Sequence, residues 1–358
     1  MSKIYLLGDV AFNGLFSDDP DNNSKRFFQI MNFFKDSDLI FANLEFPVKE
    51  GFEQNEYKKF IHYAEHEQTY NLLKLLNIGC VSLANNHIYD YKLLGLKATI
   101  NILDELGIYH TGAGWREEHI KPVIIDKNGC KIGFIAYVDK STNPKTENFQ
   151  EFYINDLESK KIVNDIKYLS KKVDKIICSL HWGNDYSNYH TRNQQKVAYE
   201  IIDAGADVIM GHHPHTIQSL EKYKQGIIFY SLGQLCFGDF YWEGKLRALK
   251  RKTKKGMIVQ FNDPELKIFN LIPTHEKKGN FISIPQTDLS RKIKCLSKIN
   301  KLSLKNSFCL FLVNIKENVF DRLYEYFFGY YRNPLRQFIN VKNYTKATYI
   351  IRDVKKGI

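Results

Sequence analysis

The segment Gly211-His212-His213-Pro214-His215 places three histidines within four residues, directly after an apolar run. Imidazole nitrogens bind Zn, Fe and Mn ions, so a metal-binding loop is one interpretation. Pro214 fixes the backbone between His213 and His215, which would let both rings chelate from one loop. A polar loop that happens to be rich in histidine is the other interpretation, and this segment alone leaves both open.

Polar side chains also follow four earlier apolar segments. They are Asp9 after Ile4–Gly8, Asn43 and Glu45 after Asp38–Ala42, Asn85, Asn86 and His87 after Cys80–Ala84, and His181 after Lys175–Leu180. Each alone has an ordinary explanation as a turn, a helix cap or a core histidine. Because ligands bind at the carboxyl ends of strands in an open α/β sheet, parallel strands would bring these groups together. Such a mixed oxygen and nitrogen set suits Mn, Fe or Zn better than Ca or Mg.

The elements that must position these residues alternate over the first 240 residues. Short apolar segments predict strands, and 3.6-residue periodicity predicts helices between several of them. The predicted strands are 3–8, 38–44, 78–84, 131–138, 174–181, 207–211 and 227–232, and the predicted helices are 24–35, 67–76, 92–106, 157–171 and 193–204. This alternation indicates an α/β fold with a substantially parallel sheet. Segments 257–262 and 267–272 predict a closing antiparallel pair.

The order of these blocks resembles the bacterial capsule synthesis proteins of the CapA family (poly-gamma-glutamate biosynthesis, PgsA-like), relatives of calcineurin-like metallophosphoesterases. The resembling segments are "GDV" at 8–10, "FANLEFPV" at 41–48, "LANNHIYDY" at 83–91, "HTGAG" at 110–114, "SLHWGNDY" at 179–186, "DAGADVIMGHHPHTIQ" at 203–218 and "YSLGQL" at 230–235. They span about residues 3–240 and leave the chain beyond about 280 uncovered. The resemblance implies a sandwich of two central mixed sheets flanked by helices, with metal ligands on strand-end loops.

The resemblance also implies site residues. The metal ligands it implies are Asp9, Glu45 as the bridging acid, Asn86, His181, His213 and His215, with His212 and His215 as an alternative pair. His87 matches the histidine that protonates the leaving group, and Asp90 either orients His87 or folds the turn. One or two divalent ions, Mn, Fe or Zn, would polarise a phosphoryl oxygen and activate water.

Two positions depart from the pattern of the phosphoesterases. Ala11 stands where an Asp-x-His motif has its histidine, so one ligand of the first metal is missing and a second ion would bind weakly. Gln234 stands where the family has asparagine, in "SLGQL" for "SLGNF", and is interpreted as a loop residue.

The net charge of +11 belongs to the end of the chain alone. Residues 290–358 hold 15 Lys or Arg against 4 Asp or Glu, whereas residues 1–289 hold 36 of each sign. We therefore expect a catalytic domain at 1–280 that does not bind nucleic acid, and a basic, aromatic-rich extension at 281–358. A helix around 319–339, with Arg322, Arg332 and Arg336, would either lie on an anionic membrane or pack on the main domain.

Composition sets the broad class. With 44% hydrophobic and 25% charged residues, a packed core is expected. No apolar run of 18 residues occurs, so no transmembrane helix is predicted. The N-terminus is interpreted as a strand of a cytoplasmic protein, which could also lie peripherally at the inner face of the membrane. The six cysteines form no CxxC pair, and most of them are expected in the core.

These observations lead to two hypotheses of different class. The first is a metal-dependent hydrolase or transferase of surface-polymer biosynthesis, which acts on a phosphoester or an anionic polymer. The second is a non-catalytic assembly factor that holds a polymer or a capsule synthase on the same fold. The His87 proton donor favours the first hypothesis, and Ala11 favours the second.

Overall fold

The computed structural model describes residues 3–58, 61–142, 152–242, 245–247, 250–263 and 265–328. The strands are β1 Ile4–Ala11, β2 Leu39–Leu44, β3 Cys80–Ser82, β4 Tyr109–Thr111, β5 Ala113–Gly114, β6 Val123–Lys127, β7 Cys130–Val138, β8 Tyr153–Ile154, β9 Lys175–His181, β10 Val208–His212, β11 Leu220–Tyr223, β12 Gly226–Phe229, β13 Gln234–Phe237, β14 Phe240–Trp242, β15 Lys245–Arg247, β16 Lys255–Phe261, β17 Phe269–Glu276 and β18 Ile282–Ser283.

The helices complete the element order. The α-helices are α1 Leu15–Asp18, α2 Asn23–Phe34, α3 His66–Leu75, α4 Lys92–Glu105, α5 Ser159–Leu169, α6 Arg192–Asp203, α7 Leu289–Lys305, α8 Ser307–Ile315 and α9 Asp321–Phe328. Short 3₁₀ turns lie at Pro20–Asn22, Glu117–Ile120 and Lys278–Asn280, and a π-helical turn at Lys316–Phe320 joins α8 to α9. No helix within the described ranges is both long and apolar enough to cross a membrane.

Two mixed sheets form the centre of the fold. The first has the order β18-β17-β16-β1-β2-β3-β4, with β13 also paired to β1, and the second has the order β11-β12-β10-β9-β7-β6. The inner strands are parallel, since β1 pairs with β2 and β13, and β9 pairs with β7 and β10 in that sense. The outer pairs, such as β16 with β17, are antiparallel. The predicted sandwich of two mixed sheets is therefore confirmed.

Alternation along the strands explains the layers. In β1, Leu6 packs between the two sheets together with Phe134 and Met210 from the second sheet. Tyr5 and Leu7 point to the other face and pack with the helices α2 to α4. The helices α5 and α6 cover the far side of the second sheet in the same way. Successive side chains of a strand point to opposite faces, so a strand that is apolar throughout must be covered on both. One face packs on the other sheet, and helices cover the outer face.

The predicted elements agree with the observed ones to within a few residues. The largest difference is at β17, which is predicted at 267–272 and observed at Phe269–Glu276. The strand β3 has three residues where the sequence predicts seven, because residues 83–87 leave the sheet to form the site loop. Of the tail helix predicted at 319–339, α9 covers 321–328, and residues 329–339 lie outside the described part of the chain.

The C-terminal helices pack on the main domain through an apolar face. Leu289, Ile293 and Leu296 of α7 and Val313 of α8 are buried in the core between the sheets. The strand β18, after residue 280, pairs with β17, before it, so backbone hydrogen bonds connect the two sides of the predicted domain boundary. The domain division at 280–281 stays a prediction. The cysteines are all free: Cys80, Cys178 and Cys236 are buried, Cys130 and Cys309 half-buried, and Cys295 exposed.

Candidate metal centre

Asp9 reaches the site because β1 approaches the backbone of residues 231–234 closely. A side chain at Gly8 would place its Cβ 2.1 Å from the carbonyl oxygen of Gly233, so only glycine allows this approach. The Asp9 amide donates to that carbonyl at 3.0 Å. The pairing register with β13 shifts between Asp9 and Val10, and such an irregularity aims a side chain out of the regular pleat. Asp9 is fully buried at the end of its strand.

Glu45 follows β2 and lies beside Asp9, and both are held by one amide. The Asn43 side chain donates to Asp9 Oδ1 at 2.9 Å and lies 3.3 Å from Glu45 Oε2. Asn85 in turn donates to Asn43 Oδ1 at 3.2 Å and to the Leu44 carbonyl at 2.8 Å. The amides of Asn43 and Asn85 therefore fix the carboxylates from behind.

The histidine loop has a strained backbone that spreads its three rings. His212 ends β10 in register with His181 at the end of β9, while His213 and His215 have φ angles of 92° and 54°. Left-handed φ at residues with a Cβ is uncommon and persists where the surrounding structure fixes it. His213 Nδ1 consequently lies 3.2 Å from His181 Nε2, and His215 Nδ1 lies 3.1 Å from Asp9 Oδ2.

Two groups of side chains could each hold a cation, and they share one acid. Glu45, His181 and His213 form one group, and Asp9, Glu45 and His215 form the other, with ligand atoms within 4.8 Å of one another. Glu45 Oε1 is buried and has no hydrogen-bond partner among the described residues. An orphaned carboxylate oxygen between imidazoles fits a divalent ion, since burying it without a partner is otherwise unfavourable.

The pKa shifts in this cluster are those expected where buried carboxylates lie close together without a cation. Burial raises the pKa of Glu45 well above its usual range, and the neighbouring charge of Asp9 adds to this effect. Burial opposes ionisation of Asp9 too, but hydrogen bonds from His212 and His215 outweigh it and hold the Asp9 pKa well below its usual range. Burial also lowers the pKa of His213 to about 4, which keeps its nitrogen lone pairs available to a metal.

His212 has a different role from its two neighbours. Its Nδ1 lies 2.9 Å from Asp9 Oδ1, and it is in neither cation-holding group. The geometry therefore favours His213 with His215 over the alternative pair of His212 with His215. Asn86 lies at the edge of the cluster, with Oδ1 3.0 Å from His181 Nε2.

His87 and Asp90 form a second cluster beside the first. His87 Nδ1 lies 2.6 Å from Asp90 Oδ2, so Asp90 orients the ring, and it also accepts the backbone amide of His62 at 2.8 Å, which ties down the preceding loop. Both alternatives for Asp90 are therefore present in the geometry. The amide of His87 donates to Asn85 Oδ1 at 3.1 Å, which links this cluster to the carboxylates.

Sequence reasoning missed Lys58. This residue comes from the segment between β2 and α3, yet its ammonium lies 3.3 Å from both Asp90 Oδ1 and His87 Nδ1 and also donates to the carbonyl of Asn86. Burial, followed by the charge of Lys58, holds the pKa of His87 well below its usual range. The His62 ring stacks edge-on against His87 at 4.0 Å between centroids. No strand precedes either residue, so no positional signal in the sequence singles them out.

The positions that depart from the family pattern are structural. Gln234 is the first residue of β13, paired with Asp9, so its interpretation as a loop residue is wrong. Its side chain lies 3.4 Å from Glu276 in a buried group with Lys254. Ala11 is the buried last residue of β1 and supplies no ligand.

Comparison with known proteins follows the same segments. The family described as bacterial capsule synthesis protein PGA_cap matches residues 3–239. The chain is 32% identical over 263 residues to the capsule biosynthesis protein CapA of Bacillus anthracis, covering 71% of this chain and 62% of that protein. It is 28% identical over 263 residues to the PGA biosynthesis protein CapA of Bacillus subtilis (strain 168), covering 73% and 68%. The chain thus spans about two thirds of the length of these relatives.

Similarity among solved structures is lower. The 5′-nucleotidase precursor of Thermus thermophilus aligns with a TM-score of 0.41 at 14% identity, covering 84% of this chain and 59% of that one. A likeness of this size says nothing about the site. The resemblance carried by the sequence motifs is confirmed by the family match.

Proposed function

Since the chain belongs to the PGA_cap family of bacterial capsule synthesis proteins, we propose that it is a metal-dependent hydrolase or transferase that acts in the synthesis of a surface polymer. Its substrate would be a phosphoester or an anionic polymer of the poly-gamma-glutamate type. The observation that carries the proposal is Glu45, a buried acid shared by two cation-holding groups, with one oxygen lacking a hydrogen-bond partner among the described residues.

The donor set defines the cofactor by class. Two carboxylates and three imidazoles suit Mn, Fe or Zn, and one or two such ions at Asp9, Glu45, His181, His213 and His215 would supply Lewis-acid polarisation of a phosphoryl or acyl oxygen. Asn86, beside His181, is the further candidate ligand. The asparagines behind the carboxylates would keep the ligands in place, which is the role of an outer shell around a metal site.

His87 is the residue proposed to move a proton. Asp90 holds the Nδ1 proton, so the atom left to exchange a proton with substrate is Nε2, which makes no hydrogen bond among the described residues. Burial and Lys58 favour the neutral ring, and an anionic substrate beside Nε2 would favour protonation again. His87 would then deliver that proton to the leaving oxygen.

A second candidate function is a non-catalytic assembly factor that holds a polymer or a capsule synthase. Ala11 favours this alternative, because it supplies no ligand at the end of β1, where the related phosphoesterases have a histidine. Under this alternative the metal would organise the fold and the His87 cluster would have no chemical role.

Metal content and hydrolysis together test the proposal. Elemental analysis of the purified chain is expected to find at least one equivalent of Mn, Fe or Zn, and a panel of phosphomonoesters and phosphodiesters is expected to include a substrate. The double variant His213→Ala/His215→Ala removes one ligand from each group, so it should lose both the metal and the hydrolysis.

The matched control is His66→Ala, which removes an exposed histidine at the start of α3 outside the site. It should keep metal and activity at the wild-type level. If the wild-type chain holds no metal after reconstitution and the double variant folds equally well, the hydrolase is wrong. Bound metal without turnover of any ester would favour the assembly factor.

A further inference from the structure

The helix α8 is apolar on nearly all sides and yet lies largely in solvent. Seven of its nine residues are apolar, and of these Val313 alone is buried. Phe308 is 65% exposed, and Leu310, Phe311 and Leu312 are 42–49% exposed. We call these four residues the α8 patch. A helix that is apolar all round belongs in a core or in lipid, and a continuous exposed apolar surface marks a contact site.

Exposed aromatic residues continue beyond α8. Phe320 in the π-helical turn and Tyr324 in α9 are also about half exposed or more. The sequence predicts an amphipathic segment only from residue 319, so the exposed apolar surface of α8, which begins at Ser307, is not predicted.

Acidic and basic side chains near α8 differ in where they point. The two acids whose contacts are known face inwards: Glu317 accepts from Ser187 and the amide of Asn188, and Asp321 pairs with Lys252 and Lys316. The lysines of the last two turns of α7 face outwards. Lys298, Lys301 and Lys305 are exposed, and no ion pair among the described residues involves them. Lys305 ends α7 and a single residue separates it from α8, so the surface where the two helices meet carries basic charge.

We propose that the α8 patch docks on an anionic lipid bilayer, with Phe308 and Phe311 in the acyl boundary and the α7 lysines at the headgroups. Apolar residues beside basic ones on a helix surface are the composition that binds such membranes. The charge supports lipid over a second copy of this chain, because two copies of this patch would bring their lysines together. The inference goes beyond the proposed function and does not depend on it.

The segment that follows α8 also contacts a loop at the border of the metal centre. Glu317 holds the loop of Ser187 and Asn188, and Tyr186 in this loop lies 6.2 Å from His215 between ring centroids. The π-helical turn directly after α8 thus contacts the loop that borders the site.

Vesicle co-sedimentation of the full chain tests the docking. Vesicles of phosphatidylcholine with about one third phosphatidylglycerol should bind the chain, and pure phosphatidylcholine should bind it much more weakly. The variant Phe308→Ser/Phe311→Ser should bind the mixed vesicles about tenfold or more weakly, because it removes the inserted rings and leaves every lysine. The matched control is Phe28→Ser on α2, where the side chain is 62% exposed and far from α8 in sequence; it should bind as wild type.

Each other outcome overturns the proposal. Unchanged binding by the double variant would show that basic charge alone attracts the chain. A dimer in light scattering that the double variant dissociates would assign the patch to a second copy. A folded monomer that binds neither vesicle would show that the patch does not meet lipid. The metal content of the double variant should equal that of the wild type. The test of membrane docking is therefore independent of the test of the proposed hydrolase activity.

Discussion

At the scale of single residues, the site is organised around unfavourable burial. Glu45 and Asp9 are fully buried next to each other, and this arrangement favours any cation that can enter. Beside them Lys58 already supplies a fixed positive charge to Asp90. The two buried acid sites are thus neutralised differently: one has a lysine of the chain itself, and the other has a donor set for a metal.

Replacing His87 separates proton transfer from metal binding. His87→Ala should lower kcat for phosphoester hydrolysis about 10²–10⁴-fold, the usual contribution of a general acid or base. Metal content should not change, since His87 belongs to neither cation-holding group. Turnover numbers and elemental analysis on the same preparation check this.

Asp90→Asn is the companion variant, because it keeps the size and leaves His87 in place. It should show a smaller loss of kcat than His87→Ala. Equal kcat values for His87→Ala and the wild type would show that His87 does not transfer a proton in the reaction.

At the scale of elements, one neutral histidine takes part in the contact of α7 with the second sheet. His190 Nδ1 lies 2.8 Å from Ser219 Oγ, and Asn300 of α7 lies 2.8 Å from His190 Nε2. The ring stacks on Tyr230 at 3.4 Å. Burial lowers the pKa of His190 to about 3, so the folded chain keeps this ring uncharged over most of the acid range.

This contact predicts a loss of stability in acid. The unfolded chain protonates His190 near its ordinary pKa of about 6.5, whereas the folded chain does so only near 3, so protons favour unfolding between these values. The free energy of unfolding should fall by up to about 1.4 kcal/mol per pH unit as pH drops through this window. Urea unfolding at several pH values measures it.

The variant His190→Gln provides the comparison. Glutamine does not titrate, so the free energy of unfolding of the variant should fall less steeply with decreasing pH than that of the wild type. The two slopes should differ by the uptake of about one proton on unfolding. Parallel curves for the two chains would mean that His190 is protonated in the folded state as well.

At the scale of the whole molecule, the described part of the basic end, residues 290–328, has side chains both in the core and on the surface. Ile293 of α7 is 6% exposed and packs in the core between the sheets, whereas Leu302 on the same helix is 50% exposed. A separate C-terminal domain would unfold on its own. Packing in the shared core implies instead that α7 and the sheets unfold together.

Ile293→Ala should therefore destabilise the entire chain. A cavity at this site costs about 2–5 kcal/mol, and a single unfolding transition should move to lower temperature or denaturant. Leu302→Ala on the same helix should change stability by less than about 0.5 kcal/mol. A variant Ile293→Ala whose main transition stays in place, with a new early one, would support the division at 280–281.

The sequence by itself determined the chemical inventory and its place on the sheet. Asp9, Glu45, His181 and the histidine loop are predicted to converge because each follows an apolar strand, and strand alternation is a local property that short segments encode. The sandwich of two mixed sheets, which the structure confirms, is implied by the family resemblance and not by strand alternation.

Tertiary structure alone decided the rest. Which of His212, His213 and His215 belong to the cation-holding groups depends on the left-handed backbone angles of His213 and His215. Lys58 joins Asp90 from a loop with no periodic pattern, across 32 residues of chain. Burial of one face of α7 and exposure of most of α8 follow from long-range packing, which composition cannot predict. The helix α8 has the larger share of apolar residues, yet it buries only Val313 in the core between the sheets.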